Sequence, residues 1–150
     1  MDDRSIRIRL MKNDDFDSVV EIDRKVLKDA RPEYYKVKFE RLFRSNDFLP
    51  VSLVAEDKDG TVVGFVMGEV YVGEYGISQE AATLDTIGVD LDHQHKGIGK
   101  QLMGEFFAHL KSLGVQKVNT LVGLKNIKLT RFFNANQFIP SKTINLERKL

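Results

Sequence analysis

Gln94-His95-Lys96-Gly97-Ile98-Gly99-Lys100 holds the residue types from which a phosphate site is built. Before it, Ala82-Thr-Leu-Asp-Thr-Ile-Gly-Val89 reads as a strand. After it, Ile98, Leu102, Met103, Phe106, Phe107 and Leu110 recur at helical spacing. The segment therefore joins a strand end to a helix start. Such a start presents unpaired backbone N–H groups and the positive end of the helix dipole. Gly97 and Gly99 let a ligand approach the backbone, while Lys96 and Lys100 add positive charge. That is the chemistry of a phosphate cradle.

Two common cradles do not fit. A Walker A loop needs Gly where Gln94 stands and Ser or Thr where Gln101 stands. The dinucleotide fingerprint needs a third Gly where Leu102 stands. What remains is Gln-x-x-Gly-x-Gly at a strand-to-helix junction. A metal reading of Asp90, Asp92, His93 and His95 is weaker, because no third strong ligand follows and His109 is distant in sequence. A solvated loop with His95 near phosphate is the simpler reading, and no metal is expected.

Composition bounds the rest. The chain has 150 residues, 42% of them hydrophobic, which suits one domain spanning 1–150 with a sizeable core. Its 23 basic and 22 acidic residues leave a net charge of +1, so nothing favours broad nucleic-acid or membrane-surface binding. There is no cysteine, which excludes disulfides and cysteine nucleophiles. The N-terminus lacks a signal-peptide layout and no apolar run could span a membrane, so a cytoplasmic protein is expected.

The elements that must position the cradle follow from periodicity. Ser5–Leu10 alternates as a half-buried strand. Asn13 is placed to cap a helix with its apolar face at Phe16, Val19, Val20, Ile22 and Val26. Pro32 suits the first turn of a second helix reaching about Arg44, whose Lys36, Lys38, Arg41 and Arg44 read as a solvated face. Val51–Glu56 and Thr61–Tyr71 form a hairpin about Asp57-Lys-Asp-Gly60. Gly73–Gly76 reads as a mobile loop. After the cradle helix, which Gly114 ends, come a strand over Val115–Val122, a short helix opened by Asn126 and a final strand within Ile139–Lys149. The fold class is α/β, a mixed sheet with helices on both faces.

This order, together with Gln94-x-x-Gly97-x-Gly99, resembles the GNAT N-acetyltransferase superfamily along nearly the whole chain. A second segment supports the resemblance. Asn126-Ile-Lys-Leu-Thr-Arg-Phe-Phe133 with Asn136-Gln-Phe138 resembles that family's Asn-x-x-Ala-x-x-Phe-Tyr…Leu-Gly-Phe signature. The resemblance implies acetyl-coenzyme A as cosubstrate and a V-shaped slot between splayed central strands. It assigns Ile87, Gly88 and Val89 to pantetheine and acyl contacts, and Gln94, His95, Lys96, Gly97, Ile98, Gly99 and Lys100 to the pyrophosphate. Asn126 would touch the coenzyme. Phe133 would pack beside its sulfur, where the family often carries a Tyr general acid. Gln137 replaces a turn Gly, so Asn136 is expected to supply the left-handed geometry.

Amine acetylation needs a neutral amine, a polarised thioester and an outlet for protons. Backbone N–H groups near Gly88 and Val89 could polarise the carbonyl. Asp85 is the first candidate base, on the same face as Thr83 and Ile87 by period-two counting; Glu69 is the alternative, and a purely structural hydrogen bond the competing role. The implied function is acetyl transfer to a primary amine: a small amine, a protein N-terminus or a lysine. The first two helices and the Gly73–Gly76 loop would border the acceptor, with Tyr34, Tyr35 and Tyr75 lining it. The alternative from another class is a coenzyme-A-binding regulatory or scaffold module without catalysis. A homodimer is left open.

Overall fold

The computed structural model describes residues 5–44, 49–71 and 80–150. The chain divides into two compact units, Met1–Thr120 and Leu121–Leu150. The expected Gly73–Gly76 loop and Tyr75 lie outside the described residues.

The first unit runs β1 (Arg7–Leu10), α1 (Phe16–Leu27), α2 (Pro32–Arg44), β2 (Leu53–Glu56), β3 (Val62–Tyr71), β4 (Ala81–Val89), α3 (Ile98–Ser112) and β5 (Lys117–Asn119). These strands form one sheet in the order β1-β2-β3-β4-β5, antiparallel except for the parallel β4–β5 pair. Helices cover both faces. A Cβ on Gly68 would strike Phe106 of α3, whereas one on Gly88 would strike Phe65 and approach Ile22 of α1. The expected mixed sheet with helices on both faces is therefore what forms.

Val54, Phe65 and Met67 of the sheet bury against Val19 and Ile22 of α1 and Tyr35 and Phe39 of α2. Burying each such side chain stabilises the fold by about 1.5–3 kcal/mol. On the other face Leu102, Met103, Phe106 and Leu110 of α3 are fully buried. The β2–β3 hairpin turns at Gly60, whose φ of +80° only glycine adopts without cost. Asp57 Oδ1 accepts the N–H groups of Asp59 and Thr61 within that turn.

Three expectations do not hold. Asn13 does not cap α1; it opens a 3₁₀ turn over Asn13–Asp15, and the Asp15 carboxylate accepts the Lys12 N–H at 2.7 Å instead. Arg9 grips the same carboxylate with two hydrogen bonds of 2.9 Å, fixing the start of α1 to β1. Second, β5 spans only Lys117–Asn119, not Val115–Val122. Val115 is instead absorbed into the end of α3, where its N–H bonds the Leu110 carbonyl and Gly114 takes φ +85°. That is the double hydrogen-bonded left-handed stop that glycine favours.

Third, no strand forms within Ile139–Lys149. Ile139, Ile144 and Leu146 are largely exposed, so the alternating pattern there has no ladder partner in the described structure. The second unit is built on α4 (Ile127–Ala135), which Asn126 opens as expected, its Oδ1 accepting the Leu129 N–H at 3.1 Å.

Candidate active site

β4 is the element around which the site forms. On one side it pairs with β3 along its whole length; on the other, β5 meets it only at Ala81, Ala82 and Thr83. One further bond, from Thr120 Oγ1 to the Leu84 carbonyl, closes that edge. From Asp85 to Val89 the β5-side edge of β4 has no ladder partner among the described residues. Unpaired strand edges are ready to pair with an extended chain. An extended amide chain such as pantetheine fits that requirement, as the resemblance implies.

The β3–β4 register carries a bulge. Met67 faces Thr86 and Gly68 faces Leu84, so Asp85 is the extra residue. A bulge breaks period-two counting and re-aims side chains. Asp85 does share a face with Thr83, since both lie on the side covered by α2. Ile87 points the other way, because its neighbour Gly88 faces Ile22 of α1. The expected common face for Asp85 and Ile87 is corrected accordingly.

Asp85 is not alone. Lys38 Nζ of α2 donates to Asp85 Oδ2 at 2.6 Å and to Glu69 Oε1 at 2.7 Å. Arg41 reaches the other Glu69 oxygen at 3.2 Å. Burial pushes the Lys38 ammonium down, but its bonds to Asp85 and Glu69 more than reverse this, so it titrates above its ordinary value. The expected solvated face of α2 is thus corrected at Lys38, whereas Arg41 stays exposed while it pairs with Glu69. Lys38 was legible only in hindsight: it lies between Tyr35 and Phe39 of the buried row, and its long stem lets the charged end reach past them.

Of the expected acceptor-lining tyrosines, Tyr35 is core. It is fully buried and its hydroxyl donates to Asp23 Oδ1 at 2.7 Å. Burial and that bond push its phenol far above the ordinary range. Asp23 is also held by two Arg31 bonds, which lock the α1–α2 connection. Tyr34 stays part-exposed, its ring under the Arg31 guanidinium at 4.9 Å. Burial pushes its phenol above the ordinary value, while the charges of Lys38 and Asp85 act on it in opposite senses.

The cradle follows the end of β4. Asp90 bonds Lys25 of α1 at 3.2 Å and His93 at 3.0 Å, tying the loop to the first helix. Gln94 turns back so that its side-chain N–H donates to the Val89 carbonyl at 3.1 Å. Its side chain therefore holds the loop, and what Gln94 offers a ligand is backbone. His95 and Gly97 both take left-handed φ, +63° and +83°. No side chain caps α3, and a Cβ at Gly97 would meet nothing within 4 Å. Buried Ile98 anchors the first turn against the sheet. The N–H groups that open α3 are thus presented without an internal cap, which suits an anion. Among the described residues no three His, Asp or Glu side chains converge as a metal site.

In the second unit, Phe133 is buried between Phe132 and Phe138, with ring centroids 5.8 and 5.1 Å away. Gln137 itself adopts the left-handed φ of +68°, while Asn136 stays at −100°. The expectation that Asn136 would supply this turn is corrected.

The chain matches the model of the Acetyltransferase (GNAT) family over residues 16–138. It belongs to that family. Over 86 residues it is 31% identical to a mycothiol acetyltransferase of Propionibacterium freudenreichii subsp. shermanii, a match covering 57% of this chain and 27% of that protein. The chain thus spans about a quarter of that relative's length. Among solved structures, the aminoglycoside N-acetyltransferase AAC(6')-Iy in complex with CoA superposes with a TM-score of 0.76 at 18% identity, covering 96% of this chain and 94% of that one. A transcriptional regulator from Bacillus halodurans C-125 gives 0.78 at 17% identity, covering 97% of this chain and 99% of that one. At such identities the likeness is one of fold. Among the described residues, no helix of this GNAT member is long and apolar enough to cross a membrane.

Proposed function

We propose that this GNAT member is an acetyl-coenzyme-A-dependent N-acetyltransferase acting on a primary amine by direct attack in a ternary complex. The observation that carries the reading is the continuity of β4 with the cradle. The strand edge that has no ladder partner after Leu84 among the described residues leads straight into an uncapped helix start opened by Gly97. An extended thioester chain fits along the edge, and its pyrophosphate fits the helix N-terminus. The family membership and the acetyltransferase names of its relatives support the same chemistry. The match over residues 16–138 draws on both compact units, and we read 1–150 as one cytoplasmic catalytic domain.

In this reading Ile87, Gly88 and Val89 hold the pantetheine and acyl portion, and residues 94–100 hold the pyrophosphate. Asn126 caps α4 through its Oδ1, which leaves its amide nitrogen for a ligand. The amine nitrogen attacks the thioester carbon, the carbon–sulfur bond breaks and the thiolate leaves. The proton lost by the amine goes to Asp85, whose carboxylate Lys38 fixes in place. No hydroxyl at position 133 serves the sulfur. A thiol of pKa about 8.5 leaves tolerably as an anion and takes up a proton from water afterwards. The test is thioester turnover against a panel of primary amines, with acetyl-coenzyme A binding measured in parallel. Turnover with an amine supports the enzyme; tight binding without turnover on any amine leaves the non-catalytic coenzyme-binding module.

A further inference from the structure

We propose that Lys38 is a specificity-determining residue, which neutralises the acceptor end of the slot from within and selects an amine of low charge over a polycation. This deepens the acetyltransferase reading and rests on it. Glu69 and Asp85 come from adjacent strands onto one face, beside the stretch of β4 whose β5-side edge has no ladder partner among the described residues. Two carboxylates so placed would form a clamp for a polyamine. Here the clamp is already filled. Lys38 bridges both carboxylates at 2.7 and 2.6 Å, and Arg41 takes the remaining Glu69 oxygen.

The four groups sum to zero: Lys38 and Arg41 against Glu69 and Asp85. Lys38 is not a loose surface cation. Its side chain is 12% exposed, against 52% for Arg41. Its stem is tethered to α2, so its local concentration at the carboxylates far exceeds that of a free amine. An incoming polyamine therefore finds both Glu69 and Asp85 already paired and meets the Lys38 charge at close range. Repulsion of this kind selects against a wrong partner as effectively as a new contact selects for a right one. A monoamine that arrives with one charge and loses it on reaction carries the smallest penalty.

The experiment compares benzylamine with spermidine as acceptors at saturating acetyl-coenzyme A, in the full chain and in Lys38→Met and Lys38→Arg. The wild type is expected to have the higher kcat/KM for benzylamine. Lys38→Met should shift the ratio of the two towards spermidine by about tenfold or more, and Lys38→Arg should keep it near wild type. A wild-type preference for spermidine, or a ratio unmoved by Lys38→Met, overturns the proposal. Should Lys38→Met not fold, Glu69→Gln serves: it leaves an excess positive charge and should push the ratio further towards benzylamine. Calorimetry of spermidine alone separates this from the parent reading. Spermidine binding about tenfold tighter in Lys38→Met supports the charge argument even if no amine is acetylated, and unchanged binding overturns it.

Discussion

The rings of Phe133 and Phe138 meet edge to face, 5.1 Å between centroids, across the left-handed turn that stops α4. The backbone does the same thing: Phe138 N–H bonds the Phe133 carbonyl and Gln137 N–H bonds the Asn134 carbonyl. This pair of bonds with an apolar contact across it is a Schellman stop. Phe133 is thereby a packing residue of the cap. Gln137 occupies the position that glycine fills without strain, and left-handed backbone costs an ordinary residue about 1–2 kcal/mol. Gln137→Gly is expected to stabilise the chain by about 1 kcal/mol in urea denaturation. A loss of stability would show that the glutamine side chain contributes more than its backbone costs.

Much of this was legible in the sequence, and what escaped has a common cause. The glycine that opens α3, Gly114 and the hairpin at Gly60 are local: a glycine at a helix end or a turn has one dominant use. The Asn126 cap is local too. Lys38 was not legible, because its partners stand 31 and 47 residues away and a cation on a helix reads as solvated. Nor was the bulge at Asp85, since one extra residue shifts register without changing any residue type. The strand expected in Ile139–Lys149 shows the reverse failure: alternation is a local signal, but a strand exists only where a partner edge receives it.

Gly97 is where the cradle is most sensitive. Its φ of +83° disfavours any side chain, and the space around a Cβ there is empty of protein. Gly97→Ala should place a methyl group where the ligand comes. The expected result is acetyl-coenzyme A affinity weakened at least tenfold in calorimetry, with about 1–2 kcal/mol of stability lost to the backbone conformation. Unchanged affinity in the folded variant would remove the Gly97 backbone from the site.

Asp15 links stability to pH. Burial pushes its carboxyl up, but Arg9 and the Lys12 N–H outweigh this and hold it below its ordinary value of 3.8. The folded chain therefore keeps this carboxyl ionised at a pH where the unfolded chain protonates it. Its contribution is complete above pH 3.8 and is lost as pH falls through the lower folded value. Asp15→Asn should cost about 2 kcal/mol at pH 7. The gap between variant and wild type should narrow as the pH drops below about 4. A gap constant across that range would assign the loss to geometry and not to charge.

Gly68 keeps the bulge possible. A Cβ there would collide with the Thr83 carbonyl oxygen and lie 2.7 Å from Phe106 Cζ. The first of these is backbone, so the strand pair must part for a methyl group to enter. Gly68→Ala is expected to destabilise by about 3 kcal/mol, with amide exchange accelerating first along the β3–β4 pair. Fast exchange confined to the helices would place the strain elsewhere.

Asp85 is tested by Asp85→Asn, which keeps the shape and removes the basicity. As proton acceptor, its loss should lower turnover by roughly 10²–10⁴ while acetyl-coenzyme A affinity changes little. The ion pair with Lys38 adds a second effect, because removing one partner of a part-buried pair also disturbs the other. Glu69→Gln is the control, since it breaks the other half of the Lys38 clamp and leaves the Asp85 carboxylate in place. On benzylamine, the Glu69 variant should keep most of its turnover and the Asp85 variant should lose it. Equal losses in both would make Asp85 a structural anchor of Lys38. Near-normal turnover in Asp85→Asn across pH would hand the proton to Glu69 or to water.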